Sequence, residues 1–383
     1  MIEPIIVNPV VFNDSFVPDV LPCREKHLKI FKDELGQFSS NYSAQNMLFY
    51  GPSGSGKTAV TLLGIKQHKK AFLSSNVKIF YVNCNIANTS YRVLNRLCKM
   101  AGLNVPDLGL PFDTLYERFL EKMNSEGLPF MVVLDEVDLL IRRSGDSILY
   151  SLLELNSSYE GSVSLVGVSN TLEFMSRISQ RVISRFNPRQ VFYPEYNALE
   201  LFSILEQRAR LGLREDSWDP AALRLIAAIV AKECGDARRA IDLLRISSKL
   251  AEQRGESKLL EFHVRLAAQY EESERLKIIV KTLSPHQAMV LDAIAILKYK
   301  RELRITTGKI YQLYVKLCDA RGLTPLTLRR VLDIVRVLEE KGLLSTWMTY
   351  GGRAGNARTI RSLNLSVYEI LDVLRRMGYP ILL

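Results

Sequence analysis

The stretch that most constrains this chain is GPSGSGKT, which runs from Gly51 to Thr58. It matches the pattern G-x-x-x-x-G-K-[S/T] and lies between a strand-like run, MLFY, and a helix-like run, AVTLLGIKQ. A phosphate-binding loop requires that context, because glycines let backbone N–H groups turn inward around phosphates at the start of a helix. The stretch therefore predicts a nucleotide site in an α/β domain.

The residue types in this loop predict separate roles. Lys57 is expected to reach the β- and γ-phosphates, and Thr58 to ligate Mg²⁺. We therefore expect ATP or ADP with Mg²⁺ as the cofactors. The predicted nucleotide-binding residues of the loop are Gly51, Pro52, Ser53, Gly54, Ser55, Gly56, Lys57, Thr58 and Ala59.

Two acidic residues end a second apolar run, in VVLDEVD. Asp135 can hold the Mg²⁺ shell, and Glu136 can polarise a water for attack on the γ-phosphate. An acid beside the metal ligand favours hydrolysis over transfer to a bound acceptor. Asp138 is interpreted as a helix cap.

Further polar residues along the chain could serve the same site. Asn170 ends the buried run GVSN, where open α/β sheets bind ligands, and it could orient the attacking water or simply form a turn. Arg181 and Arg185 could reach the nucleotide of a neighbouring subunit, or only solvate a helix end. Arg238 follows the helix-cap candidate Asp236 and could reach the γ-phosphate across a cleft between domains.

Periodicity divides the chain into three predicted domains. Residues 1–193 alternate short apolar runs with helical patterns, which indicates a parallel sheet flanked by helices. The apolar runs are MLFY, VKIFYVN, FMVVLDE and VSLVGVSN. Residues 194–281 are continuously helical and predict an all-α lid domain. Residues 282–383 read as three helices, two strands and a final helix, the order of a winged helix-turn-helix domain.

The last quarter of the chain carries most of the positive charge. The formal net charge is +10, and Ser284 to Leu383 holds 16 Lys and Arg against 8 Asp and Glu, a difference of +8. Such an excess predicts a polyanionic partner. In TYGGRAGNARTI, glycines would form a hairpin tip, and Arg353 and Arg358 would point toward the DNA backbone or the minor groove.

The third helix of this domain is predicted to begin with Thr324 as N-cap and Pro325 as its first residue. Thr327, Arg329 and Arg330 would then lie in its first two turns, where such helices face bases or phosphates.

Other positions in these helices are predicted to be either core or phosphate contacts. Leu328, Val331, Leu332, Val335 and Leu338 recur at helical spacing and are expected in the core. At the start of the preceding helix, backbone N–H groups favour phosphate. The residues predicted to bind there are Thr306, Thr307 and Lys309. Winged helices also dock proteins, so the sequence leaves that alternative open.

Composition excludes several other classes of protein. No apolar run approaches the roughly 18 residues of a membrane span, and the first residues lack the basic region of a signal peptide. The 5 cysteines are scattered without C-x-x-C spacing, which supports neither a disulfide framework nor a zinc site. A cytoplasmic, nucleoid-associated protein is expected.

The motifs GPSGSGKT, VVLDEVD, VSN, RVISRF and GDARRA, in this order, resemble those of the AAA+ ATPases. VPDVLPCREKHL, TTGKIYQLY and the terminal winged helix are more specific, and over nearly the whole chain they resemble the archaeal replication initiators related to the eukaryotic origin-recognition complex and its cell-division-control partner. One departure is Cys23, where the family usually has His before the Arg-Glu pair.

This resemblance implies a function and further contacts. It implies binding of origin double-stranded DNA, recruitment of the replicative helicase, action alone or beside a paralogous initiator, and slow ATP hydrolysis as a state switch. It also implies that Val17, Pro18 and Arg24 lie by the adenine and that a helical insertion within residues 83–110 touches DNA. Two alternatives stay open: a DNA-translocating ATPase of the Holliday-junction type, and a nucleotide-gated transcription regulator.

Two substitutions test the nucleotide site. Lys57→Ala is expected to weaken nucleotide binding, because it removes the cation that faces the phosphates. Glu136→Gln is expected to keep binding but trap ATP, because the water loses its base. Calorimetry with ATP and a hydrolysis assay measure both effects. Equal ATP affinity of Lys57→Ala and the unmodified protein would contradict the assignment of the loop.

Arg353→Ala tests the predicted wing. It should lower DNA affinity and reduce the magnitude of the slope of log K against log salt by about one, because one phosphate is no longer neutralised by the protein. Binding titrations at several salt concentrations measure the slope. An unchanged slope would remove Arg353 from the interface.

Overall fold

The computed structural model describes residues 3–39, 45–71, 77–159, 161–350 and 356–379. Contacts between residues divide the chain into two units, Met1–Val264 and Arg265–Leu383. None of the helices in the described ranges combines the length and apolar character needed to cross a membrane.

A parallel five-stranded sheet with the order β2-β3-β4-β1-β5 forms the centre of the first unit. Its strands are β1 (Met47–Tyr50), β2 (Lys78–Asn83), β3 (Phe130–Asp135), β4 (Val163–Ser169) and β5 (Arg189–Phe192). The sequence predicted the first four as apolar runs. It did not predict β5, because Val191 is its only buried side chain.

Helices cover both faces of this sheet. The helices are α1 (Glu25–Ser39), α2 (Lys57–Ala71), α3 (Ser90–Met100), α4 (Phe112–Glu126), α5 (Val137–Ser144), α6 (Ser147–Ser158) and α7 (Gln180–Phe186), with 3₁₀ turns at Pro9–Phe12 and Glu173–Arg177. All side chains of β3 and β4 are buried, as both-face coverage of parallel strands requires. One face packs around Phe80, Phe119 and Phe130, whose rings meet edge to face, and the other around Phe31 and Phe49.

The helical lid begins after β5. Its helices are α8 (Ala198–Gly212), α9 (Pro220–Glu233), α10 (Ala237–Gln253) and α11 (Glu261–Lys281), and the division between the two units falls within α11. Local signals fix where these helices start. Asn197 and Glu200 form a capping box on α8, and Asp219 and Asp236 cap α9 and α10 through their side chains.

The second unit is a winged helix. It contains α12 (Pro285–Tyr299), α13 (Thr307–Asp319), α14 (Leu328–Glu340), β6 (Leu344–Tyr350), β7 (Asn356–Leu363) and α15 (Val367–Arg376). The two strands pair antiparallel, and an isolated bridge between Thr306 and Thr359 joins β7 to the start of α13. Together with the parallel sheet and the helical lid, this unit confirms the fold class predicted from the sequence.

The predicted start of α14 at Thr324 and Pro325 was wrong. The chain stays extended up to Thr327, which is the N-cap, and the helix begins at Leu328. The reason is tertiary, because the Leu326 N–H donates a hydrogen bond to the Tyr314 hydroxyl of α13 at 3.1 Å. At the other end of α14, Gly342 takes a φ of 75° directly after the C-cap, which is typical of a glycine that ends a helix.

Candidate nucleotide site and nucleic-acid interface

The parallel register brings the ends of three strands together in the first unit. Tyr50 of β1 lies opposite Ser169 of β4, and Asp135 of β3 lies opposite Val168 of β4. Because carboxyl ends of parallel strands share one edge, the loops that follow them surround one cavity. Its volume is about 370 Å³, which falls within the range for small-molecule sites.

The loop between β1 and α2 forms one wall of this cavity. The loop residues that line it are Ser53, Gly54, Gly56, Lys57, Thr58 and Ala59. Gly51, Pro52 and Ser55 do not, but the carbonyl oxygens of Gly51 and Pro52 accept hydrogen bonds from Lys57 Nζ at 2.7 Å each. Burial lowers the pKa of Lys57 to about 8, while Asp135 opposes the shift. A phosphate beside the ammonium would favour its charged form.

Glycine is required at two positions in this loop. Gly51 has a φ of 148°, and a Cβ there would lie 2.1 Å from the carbonyl oxygen of Tyr193. Gly54 has a φ of 68°, and its Cβ would overlap the carboxylate of Asp236, the cap of α10. The loop therefore packs directly against the lid, and this backbone conformation fits a phosphate cradle.

Asp135 is the centre of the polar contacts at the strand ends. Its Oδ2 accepts a hydrogen bond from Thr58 Oγ1 at 2.9 Å and another from the Tyr81 hydroxyl at 2.6 Å. Its Oδ1 accepts from the Glu136 N–H at 3.0 Å. Thr58 and Asp135, the predicted Mg²⁺ ligands, are therefore adjacent. Mg²⁺ that is bound together with phosphates typically takes only a few of its ligands from the protein.

Sequence reasoning missed Tyr81. It lies on β2, lines the cavity and contacts the predicted metal ligand directly. Burial, followed by the charge of Asp135 and the hydrogen bond to it, raises the pKa of Tyr81, so the hydroxyl stays a donor. The only signal in the sequence was its place near the carboxyl end of a strand that neighbours β3.

Glu136 follows Asp135 and borders the same cavity. Its backbone is left-handed, with a φ of 58°, and it is the N-cap of α5. Burial and then the charges of Asp135 and Asp138 raise the pKa of Glu136. Among the described residues its Oε2 is buried and has no hydrogen-bond partner, so it is available to a water or ligand in the cavity. Asp138, interpreted as a cap, lies instead inside the first turn of α5.

Two further predicted catalytic residues border the same cavity. Asn170 follows β4 and is exposed, and Arg238 lies in the first turn of α10 in the lid. The charge of Arg238 lowers the pKa of both Lys57 and Glu136, as expected for a cation close to both groups. The structure thus brings together Glu136, Asn170 and Arg238, from a strand end, a loop and the lid.

An apolar part of the cavity is lined by the N-terminal segment. Val17 and Pro18, which the resemblance implied near an adenine, border it. Arg24 does not. This arginine is buried, with 2% of its surface exposed, and its guanidinium is fully engaged by other parts of the protein. Its place beside an adenine stays a prediction.

The contacts of Arg24 join three segments of the first unit. Its Nε donates to the Ser55 carbonyl oxygen at 2.8 Å, and its Nη2 donates to the Pro194 carbonyl oxygen at 2.6 Å. The guanidinium also stacks over the ring of Tyr196 at 3.8 Å. Arg24 thus ties the phosphate loop to the segment that enters the lid.

Arg181 and Arg185 lie on α7 and do not line the cavity. Arg185 forms an ion pair with Glu154 of α6, and both arginines lie over the ring of Tyr150, at 4.4 and 5.3 Å respectively. A role in another subunit's site stays a prediction.

In the second unit, the first turn of α14 is open to solvent. Thr327, Arg329 and Arg330 are all exposed, as a helix that reads DNA requires. Leu328 was predicted in the core but is 43% exposed, and Leu332 is half-buried, whereas Val331, Val335 and Leu338 are buried.

The other predicted DNA contacts have protein partners. Thr307 is 8% exposed, and its hydroxyl donates to the Arg358 carbonyl oxygen at 3.3 Å. Lys309 pairs with Glu302 at 2.7 Å, and Arg358 with Glu339 at 2.9 Å. Thr306 caps α13 and bridges to β7. Arg353 lies outside the described residues.

These features define an AAA+ ATPase with a C-terminal winged-helix domain. They are a sheet of this strand order, a phosphate loop that faces an acidic strand end, a helical lid and a winged helix. Family models match in the same order: an AAA domain over residues 40–175, a Cdc6 AAA+ ATPase-type lid domain over residues 202–269, and a CDC6 C-terminal winged helix domain over residues 279–373.

Comparison with known proteins identifies a family within this class. The chain is 37% identical to an ORC1-type DNA replication protein of Thermococcus kodakarensis, across 97% of this chain and 91% of the relative. It is 35% identical to the ORC1-type DNA replication protein 1 of Archaeoglobus fulgidus, across 93% and 88%. The structure of the Aeropyrum pernix ORC1 protein in complex with DNA matches with a TM-score of 0.69 and 34% identity over 99% of each chain. The chain belongs to the family of ORC1-type DNA replication proteins found in archaea, which confirms the resemblance.

Tyr81→Phe tests the contact that the sequence did not reveal. Loss of the hydroxyl should raise the Mg²⁺ concentration needed for half-maximal ATP binding by about tenfold, because a hydrogen bond that orients a metal ligand is removed. Binding of a fluorescent ATP analogue, titrated with Mg²⁺, measures this, and binding in EDTA should not change. Tyr91→Phe is the control, since its buried hydroxyl has no partner in the described part of the chain. The same Mg²⁺ dependence in both variants would contradict a role for Tyr81.

Proposed function

We propose that this protein is an ATP-controlled replication initiator that binds origin double-stranded DNA through its winged helix. The observation that carries the proposal is the relative from Aeropyrum pernix, described as an ORC1 protein in complex with DNA, which is similar along 99% of both chains. The exposed Thr327, Arg329 and Arg330 and the net charge of the C-terminal quarter support the same role.

In the proposed nucleotide site, each group of residues has one task. The phosphate loop and Lys57 bind the phosphates, and Thr58 and Asp135 hold Mg²⁺. When bound, Mg²⁺ neutralises developing charge on the phosphates. Val17 and Pro18 pack against the base. These assignments are supported by the shared cavity and by the positive-φ glycines of the loop.

Hydrolysis in this proposal uses three further residues. Glu136 takes a proton from the attacking water, because its raised pKa and unpartnered oxygen suit a general base. Asn170 orients that water. Arg238 contacts the γ-phosphate from the lid, so the lid position depends on which nucleotide is bound. We propose that turnover is slow and that it marks a change of state.

The proposal also includes partners. A nucleotide-dependent lid would present a different surface before and after hydrolysis, and this could govern recruitment of the replicative helicase. A paralogous initiator beside this protein would give Arg185 a nucleotide to reach once its pair with Glu154 is broken.

Footprinting of the full-length protein on intergenic DNA of its own genome tests the DNA-binding role. We expect protected sites of defined sequence, and slow ATP hydrolysis that DNA barely stimulates. A pull-down with the replicative helicase tests recruitment, with Glu136→Gln holding the ATP state. Rapid DNA-stimulated hydrolysis without sequence preference would indicate a translocating motor. Site-specific protection without helicase capture would indicate a transcription regulator.

A further inference from the structure

The wing is the hairpin formed by β6 and β7. Glu339, near the C-terminal end of α14, contacts both of its strands. Its Oε1 accepts a hydrogen bond from the Thr346 N–H at 2.7 Å, and the Thr346 hydroxyl lies 2.8 Å from each carboxylate oxygen. Its Oε2 also accepts from Arg358 Nη1 at 2.9 Å. One carboxylate therefore joins the last turn of α14 to β6 and to β7.

The contact falls where the hairpin is irregular. The pairing of β6 with β7 shifts register between Ser345 and Thr346, and the Thr346 N–H at that point is bound by Glu339. Such irregularities bend and twist a hairpin and so direct its far end. Glu339 therefore acts at the position that sets the direction of the wing.

The ion pair within this contact is partly shielded from water. The side chain of Arg358 is 22% exposed and that of Glu339 is 32% exposed. Charge-assisted hydrogen bonds with several donors on one carboxylate are stronger and more directional than a lone surface pair. The backbone of Arg358 is held as well, because its carbonyl oxygen accepts from Thr307 of α13.

We propose that Glu339 is a positioning residue for DNA binding: it fixes the wing relative to α14 so that both can engage one duplex. In this arrangement Arg358 serves the wing as a partner of Glu339 rather than as a phosphate contact. A preorganised wing does not have to be ordered on binding, which favours affinity. The inference rests on the proposed DNA-binding function.

Because Glu339 is negatively charged, the proposal can be tested by whether its substitution strengthens or weakens DNA binding. On charge alone, removing a carboxylate from a domain that binds a polyanion strengthens binding or leaves it unchanged. A positioning role predicts the opposite. Glu340 offers a matched control, because it is the next residue, is exposed, and makes no hydrogen bond or ion pair with any described residue.

The experiment measures affinity for a fluorescein-labelled random-sequence duplex by anisotropy, at several salt concentrations, with the full-length protein. We expect Glu340→Gln to bind at least as tightly as the unmodified protein. Glu339→Gln should bind about tenfold more weakly, the size of one missing charge-assisted hydrogen bond. The slope of log K against log salt should also fall in magnitude by about one for each phosphate that the displaced wing no longer neutralises.

Two further variants separate positioning from folding. Thr346→Val removes the hydroxyl donor without changing charge or branching at Cβ, and it should weaken DNA binding several-fold. It decides the question if Glu339→Gln does not fold, as judged by its unfolding midpoint and ATP binding. The double variant Glu339→Gln with Arg358→Gln should bind no more weakly than the weaker single variant. Additive losses would show instead that Arg358 contacts DNA independently of Glu339.

The outcomes distinguish this inference from the proposed function. If the unmodified protein binds neither this duplex nor intergenic DNA in the footprint, the DNA-binding function is overturned, and the inference with it. If the unmodified protein binds and Glu339→Gln binds as tightly as Glu340→Gln, only the positioning role is overturned.

Discussion

The parallel register of β1, β4 and β3 is the constraint on which the nucleotide site depends. Pairing of Tyr50 with Ser169 and of Asp135 with Val168 brings the phosphate loop, the acidic strand end and the Asn170 loop to one edge. The hydrogen bond from Thr58 to Asp135 follows from that register. A shift by one residue would turn each buried side chain to the opposite face, so the core and the site are specified together.

Arg24 connects this edge to the lid. A buried guanidinium is costly unless its donors are satisfied, and here carbonyl oxygens of the phosphate loop and of the segment before α8 satisfy them. The packing of Gly54 against Asp236 forms a second connection. Both connections involve the phosphate loop. A movement of that loop on binding phosphates would therefore shift the lid and, with it, Arg238.

Part of the positive charge of the winged helix is paired within the protein itself. Much of the excess positive charge of the last hundred residues is exposed, as at Arg329 and Arg330, but Lys309 and Arg358 are neutralised by Glu302 and Glu339. Net charge therefore overstates how many cations face a polyanion. One of these acidic residues, Glu339, also joins α14 to β6 and β7.

The sequence by itself determined the phosphate loop, the acidic strand end, four strands of the sheet, the lid helices and the order of the winged helix, because each depends on local periodicity or on a motif that is contiguous in the chain. Tertiary structure decided what depends on residues far apart in sequence. The edge strand β5 exists only through pairing with β1, α14 starts late because Leu326 bonds to Tyr314, and Tyr81 on β2 reaches Asp135 on the neighbouring strand β3. From the sequence, Arg24 and Arg358 were interpreted as ligand contacts. In the fold, carbonyl oxygens bind Arg24 and a carboxylate binds Arg358. The sequence could not reveal these partners, because a cation's partner is set by spatial proximity and not by residue type.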